Sequence, residues 1–179
     1  STDADHLDIY NTHAEVIEAF SIFISKIRDN GTLIIKKGLE HMANKQQNIK
    51  VYTYSATHEA DFCISKISQQ DGLYTFTLKT PFGKIESIEL GVLGKYNVEN
   101  AVAASAAALV WGTDIEPLKK GLKSFKGITR RFDLRYKGKK SVYIDDYAHH
   151  PAELKAAITS VRAMFPDRKI TGVFQPHLY

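Results

Sequence analysis

Apolar residues recur along this chain in two rhythms, and the change of rhythm divides it. Val16, Phe20, Phe23 and Ile27 fall at helical spacing behind Thr12 and Glu15, which read as a capping box. Asp29-Asn30-Gly31 stops that helix, and Thr32-Leu33-Ile34-Ile35 follows as a strand. A short helix is expected near Leu39 to Lys45. The stretches Ile49 to Tyr54, Phe62 to Ile67, Tyr74 to Leu78 and Ile85 to Leu90 then alternate with period two. Gln70-Asp71-Gly72 and Pro81-Phe82-Gly83 turn the chain between the later ones, which predicts an antiparallel meander.

Helical spacing returns after Gly91 and Gly94. An alanine-rich helix is expected from about Val98 to Val110, with side chains small enough to lie close on a sheet. Thr113 with Glu116 reads as a second capping box, and Pro117 falls in the first turn, where its missing donor costs little. Lys126-Gly127-Ile128-Thr129 reads as a linker. Beyond it come a strand at Ser141 to Ile144, an acidic turn, and a helix opened by Pro151. That helix carries Leu154, Ile158, Val161 and Phe165 on one face. With a strand at Ile170 to Phe174 these make a βαβ unit, so the fold class is α/β.

Composition narrows the class further. A chain of 179 residues, 44% hydrophobic and 25% charged, can bury a sizeable core as one domain or parts of two. No apolar run approaches a membrane span, and no leader pattern precedes the first helix, so a protein free of membrane is expected. The single cysteine, Cys63, cannot form an internal disulfide and suits a reducing cytoplasm. Net charge is only +4. Yet Lys119, Lys120, Lys123, Lys126, Arg130, Arg131, Arg135, Lys137, Lys139 and Lys140 form a basic field with Asp133 as its lone acid. Such a field attracts nucleotide phosphates or a nucleic-acid backbone. A nucleic-acid-binding module is the alternative of another class, but no helix-turn-helix, RNP-like or zinc-spaced motif accompanies the charge.

Chemistry concentrates in Tyr143-Ile144-Asp145-Asp146-Tyr147-Ala148-His149-His150-Pro151. Two carboxylates and two imidazoles share one strand-to-helix turn, at the carboxyl end of a strand, where ligands of open α/β sheets bind. Three further segments carry polar groups in suggestive patterns. Ala4-Asp5-His6-Leu7-Asp8 sets an imidazole between carboxylates. Gly94-Lys95-Tyr96-Asn97-Val98-Glu99-Asn100-Ala101 opens the alanine-rich helix, where Asn97 could serve as N-cap. Arg130-Arg131-Phe132-Asp133 offers guanidinium forks for phosphate.

These segments, in this order and followed by Phe174-Gln175-Pro176-His177, resemble the Mur ligases over nearly the whole chain. The resemblance implies ATP-dependent amide formation through an acyl-phosphate in peptidoglycan precursor synthesis, with UDP-N-acetylmuramate and L-alanine as substrates. The family branch that recycles murein tripeptide is the nearer alternative, and Phe174-Gln175-Pro176-His177 favours the alanine-adding branch. By the same resemblance His6 helps hold Mg²⁺, Asn97 pairs with adenine, and Arg131 reaches the ATP phosphates. Asp146 contacts the ribose, His149 lies near the acyl-phosphate and incoming amino acid, and His177 belongs to the amino-acid pocket. His150 is expected to be structural, and Asp145 to orient its neighbours. Tyr96 stands where histidine is common in the family, and Leu178 where arginine is common.

No GxxxxGK[ST] phosphate loop occurs in the sequence, although the family carries one in its central domain. The expectation is therefore a fragment, inactive alone. Residues 1–127 would be the later part of a central ATP-binding domain. Residues 128–179 would open a Rossmann-like carboxyl-terminal domain.

Overall fold

A computed structural model describes residues 10–43, 48–70 and 72–176. Helix α1 (His13–Ile24) begins where Thr12 Oγ1 accepts from Glu15 N at 3.3 Å. The Glu15 carboxylate reaches back one residue further than a capping box requires, to Asn11 N at 2.9 Å. Val16 and Ile24 are the buried residues of α1, and Ile24 packs with Ile17 and Ile27 against Ile35, Met42 and Ala43. Phe20 and Phe23 instead lie exposed, because packing on strand β1 (Thr32–Lys36) and the 3₁₀ turn Glu40–Ala43 fixes the helix phase. Of the short helix expected near 39–45, residues 40–43 form this 3₁₀ turn, and residues 44 and 45 lie outside the described residues.

Strands β2 (Lys50–Ser55), β3 (Phe62–Gln70), β4 (Leu73–Thr80) and β5 (Gly83–Glu89) complete a five-stranded mixed sheet in the order β1-β2-β3-β4-β5. The antiparallel meander is thus confined to β3-β4-β5. The first of its four expected strands, β2, runs parallel to both neighbours. Alternation within a strand says which face is buried but nothing about its neighbours' direction. The β2–β3 pairing is only Tyr54↔Phe62 and Ser55↔Cys63. Asp61 Oδ2 secures the intervening loop by accepting from Thr53 N and Thr53 Oγ1, both at 2.7 Å.

On β4, Tyr74, Phe76, Leu78 and Thr80 are buried in strict alternation. On β5, Ile85 and Ile88 are both buried although three residues apart. A bulge absorbs the extra residue: Leu78 faces Ile85, Phe76 faces Ile88, and Ser87 adopts φ 56°. Helix α2 (Lys95–Trp111) lies on this face through Val98, Ala101, Val102, Ser105 and Ala106, spaced i, i+3, i+4, i+7, i+8. Buried Ser105 is satisfied by donating to Ala101 O at 2.7 Å. At the far end of α2, Gly112 N and Thr113 N donate to Leu109 O and Ala108 O. Thr113 is thereby spent on closing α2. Helix α3 (Ile115–Ser124) takes Asp114 as N-cap, so the expected Thr113–Glu116 box does not form.

After the linker, β6 (Asp133–Lys137) and β7 (Val142–Asp145) pair as an antiparallel hairpin, and α4 (Pro151–Met164) follows the acidic turn. Residues 170–174, expected as the second strand of the βαβ unit, pair with no strand among the described residues, and Val173 is fully exposed. The chemistry-bearing turn itself sits where the sequence places it, between a strand and a helix.

Gly91 ends the sheet against α3. A Cβ there would strike Lys123 O and come within 2.6 Å of Phe125 O, both backbone atoms that cannot swing aside. Gly91→Ala is expected to cost about 1–3 kcal/mol in urea unfolding. Gly121→Ala, on open helix surface in α3, should be neutral or stabilise by about 0.5–1 kcal/mol. Equal effects at the two positions would contradict the packing described.

Candidate functional site

The sheet–helix core brings the amino end of α2 to the linker, and the acidic turn closes on both from the other side. Gly94, at φ +91°, is the N-cap of α2, so Asn97 lies inside the first turn rather than capping it. The Asn97 Nδ2 donates to Leu93 O at 2.7 Å, and its Oδ1 accepts from Asn100 Nδ2 at 3.2 Å. One amide hydrogen and one lone pair remain for a ligand. An added Cβ at Gly94 would come within 3.3 Å of the Phe132 ring, so the chain passes tightly beneath it.

Phe132 is the plug of the junction. It is 4% exposed, meets the Tyr96 ring edge-on at 6.0 Å, and sits at φ 50°. Arg130, on the other side of Arg131, also has a positive φ, 62°. Non-glycine residues in this region cost of order 1–3 kcal/mol each and persist only where the surroundings over-determine them. Here the determinants are visible. Arg131 N donates to Ile128 O at 3.0 Å, Tyr147 N donates to Arg130 O at 2.8 Å, and Phe132 N donates to Asp146 Oδ2 at 3.1 Å.

Asp146 is therefore the knot. Its Oδ2 also accepts from Tyr96 Oη at 3.3 Å, and its Oδ1 accepts from Ala148 N at 2.9 Å. One carboxylate ties α2, the linker and the acidic turn together. Burial, and then the Asp146 charge beside it, raise the Tyr96 phenol well above its ordinary value. Its proton is accordingly kept on the Tyr96 side of this bond.

Arg131 projects from the strained linker towards α4. Its Nη1 lies 3.6 Å from Glu153 Oε1, and its guanidinium stands 5.7 Å over the Tyr147 ring. His149 also faces this pair, with Nδ1 3.1 Å from Tyr147 O and 3.7 Å from Glu153 Oε2. His150 is the N-cap of α4, its Nδ1 accepting from Ala152 N at 3.3 Å while Glu153 answers on His150 N. Asp145 lies 3.9 Å from Arg130 Nε. Sequence reasoning did not single out Tyr96 as a partner of Asp146, nor Glu153 as a partner of Arg131 and His149. The Glu three residues after the N-cap position was the one available signal for the latter.

Between the two halves lies an open cleft of about 370 Å³. Asn97, Lys126, Arg131, Lys137 and the carboxylate Asp133 supply its polar lining, and Leu93, Ile128, Met164 and Phe165 are among its apolar walls. Such a cleft can take a flat apolar group and phosphate charge together. Of the expected site residues, Asn97 and Arg131 share this cleft. Asp146 is tied to its floor through Phe132, and His149 is grouped with Arg131. His6 and His177 lie outside the described residues. Among the described residues no cluster of three or more His, Cys, Asp or Glu side chains could hold a metal ion. No helix among them is long and apolar enough to cross a membrane.

Asp146→Asn leaves one oxygen for three donors and aims an amide N–H at the others. It is expected to destabilise the protein by about 1–3 kcal/mol rather than leave the fold unaffected. Tyr96→Phe should cost about 0.5–1.5 kcal/mol. The folded Tyr96 pKa is raised, so the folded state holds this proton more tightly than the unfolded one. Its contribution is fully present below the unfolded value near 10 and falls as pH rises beyond it. Unfolding measured at neutral pH and above pH 10 should show a smaller penalty for Tyr96→Phe in alkali. An equal penalty at both would show that the phenol–carboxylate bond contributes nothing.

Comparison with known proteins bears on this geometry directly. The Mur ligase middle domain matches residues 2–108, and the glutamate ligase domain of the Mur ligases matches residues 130–177. The UDP-N-acetylmuramate–L-alanine ligase of Parabacteroides distasonis is 50% identical over 179 residues, all of this chain and 39% of the relative. The enzyme of the same name from Phocaeicola vulgatus is 46% identical over the same span, again 39% of its length. The chain thus spans about two-fifths of the length of the curated relatives it matches. In three dimensions it resembles the UDP-N-acetylmuramate-alanine ligase MurC of Thermotoga maritima. That match has TM-score 0.78 at 24% identity, covering 98% of this chain and 40% of that one. MurF of Acinetobacter baumannii is similar in fold, with TM-score 0.77 at 24% identity over 89% of this chain and 35% of that one. Matches to two domains of one family, over residues 2–108 and 130–177, and a relative 50% identical along the whole chain leave one assignment: the chain belongs to the Mur ligase family.

Proposed function

We propose that the protein carrying this chain is an ATP-dependent ligase that joins L-alanine to UDP-N-acetylmuramate in peptidoglycan precursor synthesis. The observation that carries this reading is identity of 44–50% along the whole chain to relatives bearing that activity in their name. The junction geometry supports it, because the cleft offers groups suited to each part of a nucleotide. ATP supplies the phosphoryl group that activates the muramate carboxylate as an acyl-phosphate, from which the amine of L-alanine displaces phosphate.

Each residue then has a stated task. Asn97 has a spare donor and a spare acceptor for the adenine edge. Asp146 keeps one lone pair on Oδ1 for a ribose hydroxyl while its other positions hold the junction together. Arg131 presents its fork to phosphate oxygens, where charge on the transferring group is stabilised. His149 serves the amino-acid side, to which the family resemblance also assigns His177. We place the division between the central and carboxyl-terminal domains at 127 and 128, ahead of the strained Arg130–Phe132 segment. Closing the domains on the nucleotide would exclude water from the acyl-phosphate. Magnesium would involve His6. Among the described residues no cluster of three or more His, Cys, Asp or Glu side chains could hold it. Residence in a reducing cytoplasm agrees with Cys63, which forms no disulfide.

Phosphate release from ATP, UDP-N-acetylmuramate and L-alanine on the full-length protein tests this. Release that requires both co-substrates is expected. Arg131→Lys should lower turnover at least about tenfold, roughly 1.4 kcal/mol, with an unchanged Tm, since an ammonium cannot form the bidentate fork. Phosphate release independent of L-alanine, or wild-type turnover in Arg131→Lys, would contradict the reading.

A further inference from the structure

We propose that Glu153 is a positioning residue that sets Arg131 and His149 relative to one another for phosphoryl and acyl transfer. The inference rests on the roles given above to those two residues. Glu153 occupies the first turn of α4, the rigid element nearest the site, and its two oxygens have different tasks. Oε2 accepts from His149 N at 3.2 Å and His150 N at 3.4 Å, which completes the capping box. Oε1 takes no part in the cap and lies 3.6 Å from Arg131 Nη1. A residue needed only to start a helix has no use for that second contact.

Tyr147 reinforces the arrangement. Its ring lies beneath the Arg131 guanidinium at 5.7 Å and meets the His149 ring at 5.5 Å and 76°. Arg131 and His149 come from different segments, the linker and the acidic turn, and share both neighbours. About half of the Arg131 side chain and two-fifths of that of Glu153 are exposed, so their ion pair contributes little to stability. Its value lies in orientation. A guanidinium on a long free side chain loses rotamer freedom each time it meets phosphate, and a fixed carboxylate removes part of that loss in advance. The approach to Glu153 is through Nη1, and a guanidinium has further N–H donors to offer phosphate oxygens.

The test uses the full-length protein with steady-state phosphate release. Glu153→Gln keeps an oxygen for the His149 and His150 amides but removes the charge facing Arg131. We expect kcat to fall about fivefold to tenfold, KM for ATP to change less than about twofold, and Tm to be preserved. In an Arg131→Lys background the same substitution should lower kcat by less than about twofold, because the partner it orients is already impaired. Wild-type kcat in Glu153→Gln, an equal loss in both backgrounds, or a loss matched by a drop in Tm would overturn the proposal. Arg131→Lys alone separates the two levels. If it loses turnover while Glu153→Gln does not, only the positioning role fails. If it does not, the assignment of Arg131 fails as well.

Discussion

A carboxylate that accepts from three donors on three different segments constrains the rest of the junction. Asp146 holds Tyr96 of α2, the Phe132 amide of the linker and the Ala148 amide of its own turn. With the Arg131 N–Ile128 O and Tyr147 N–Arg130 O bonds, it holds Phe132 at φ 50° with its ring buried against Tyr96. Released from that conformation, the linker would also release Arg131, whose direction follows from the strained residues on either side. The position that resemblance assigns to ribose binding is thus also the fastener of the two halves. On the proposed function, ligand binding and junction geometry would be coupled through one side chain.

The sheet and α2 form the fixed side of this joint. The bulge at Ser87 lets Ile85 and Ile88 both point inwards, where they share one core with the small stripe of α2. That packing holds the amino end of α2, with Tyr96 and Asn97, at the rim of the cleft. The other side is lighter. A two-stranded hairpin and α4 bury little, with Tyr136, Tyr143 and Ile158 exposed, so their orientation depends on the linker and the Asp146 knot.

Sequence made part of this legible. The α2 stripe, the alternation of β4, the strand–turn–helix around Asp146 and the structural role of His150 follow from periodicity and capping rules, and the family from ordered motifs. Strand direction at β2 did not follow, because alternation carries no information about neighbours. Phe20 and Phe23 fit a helical stripe as well as Ile17 and Ile24 do, and only packing against Ile35 chose between them. The Thr113–Glu116 box gave way to the closing of α2, a competition between adjacent helices that a local motif cannot register. Within the site, residue types were legible but partnerships were not. Tyr96 and Asp146 are fifty positions apart, and their bond is set by tertiary structure.

The central claim is that nucleotide is received at the joint that Asp146 fastens. The most direct measurement is an amide-resolved NMR titration of the full-length protein with a non-hydrolysable ATP analogue. The Phe132 and Ala148 backbone amides report the two Asp146 oxygens separately, and the Asn97 side-chain amide reports the cleft. The expected result is saturable shifts at all three with one common affinity, and smaller changes on the solvent face of β3. Saturable binding that leaves the Phe132, Ala148 and Asn97 signals unmoved would contradict the account.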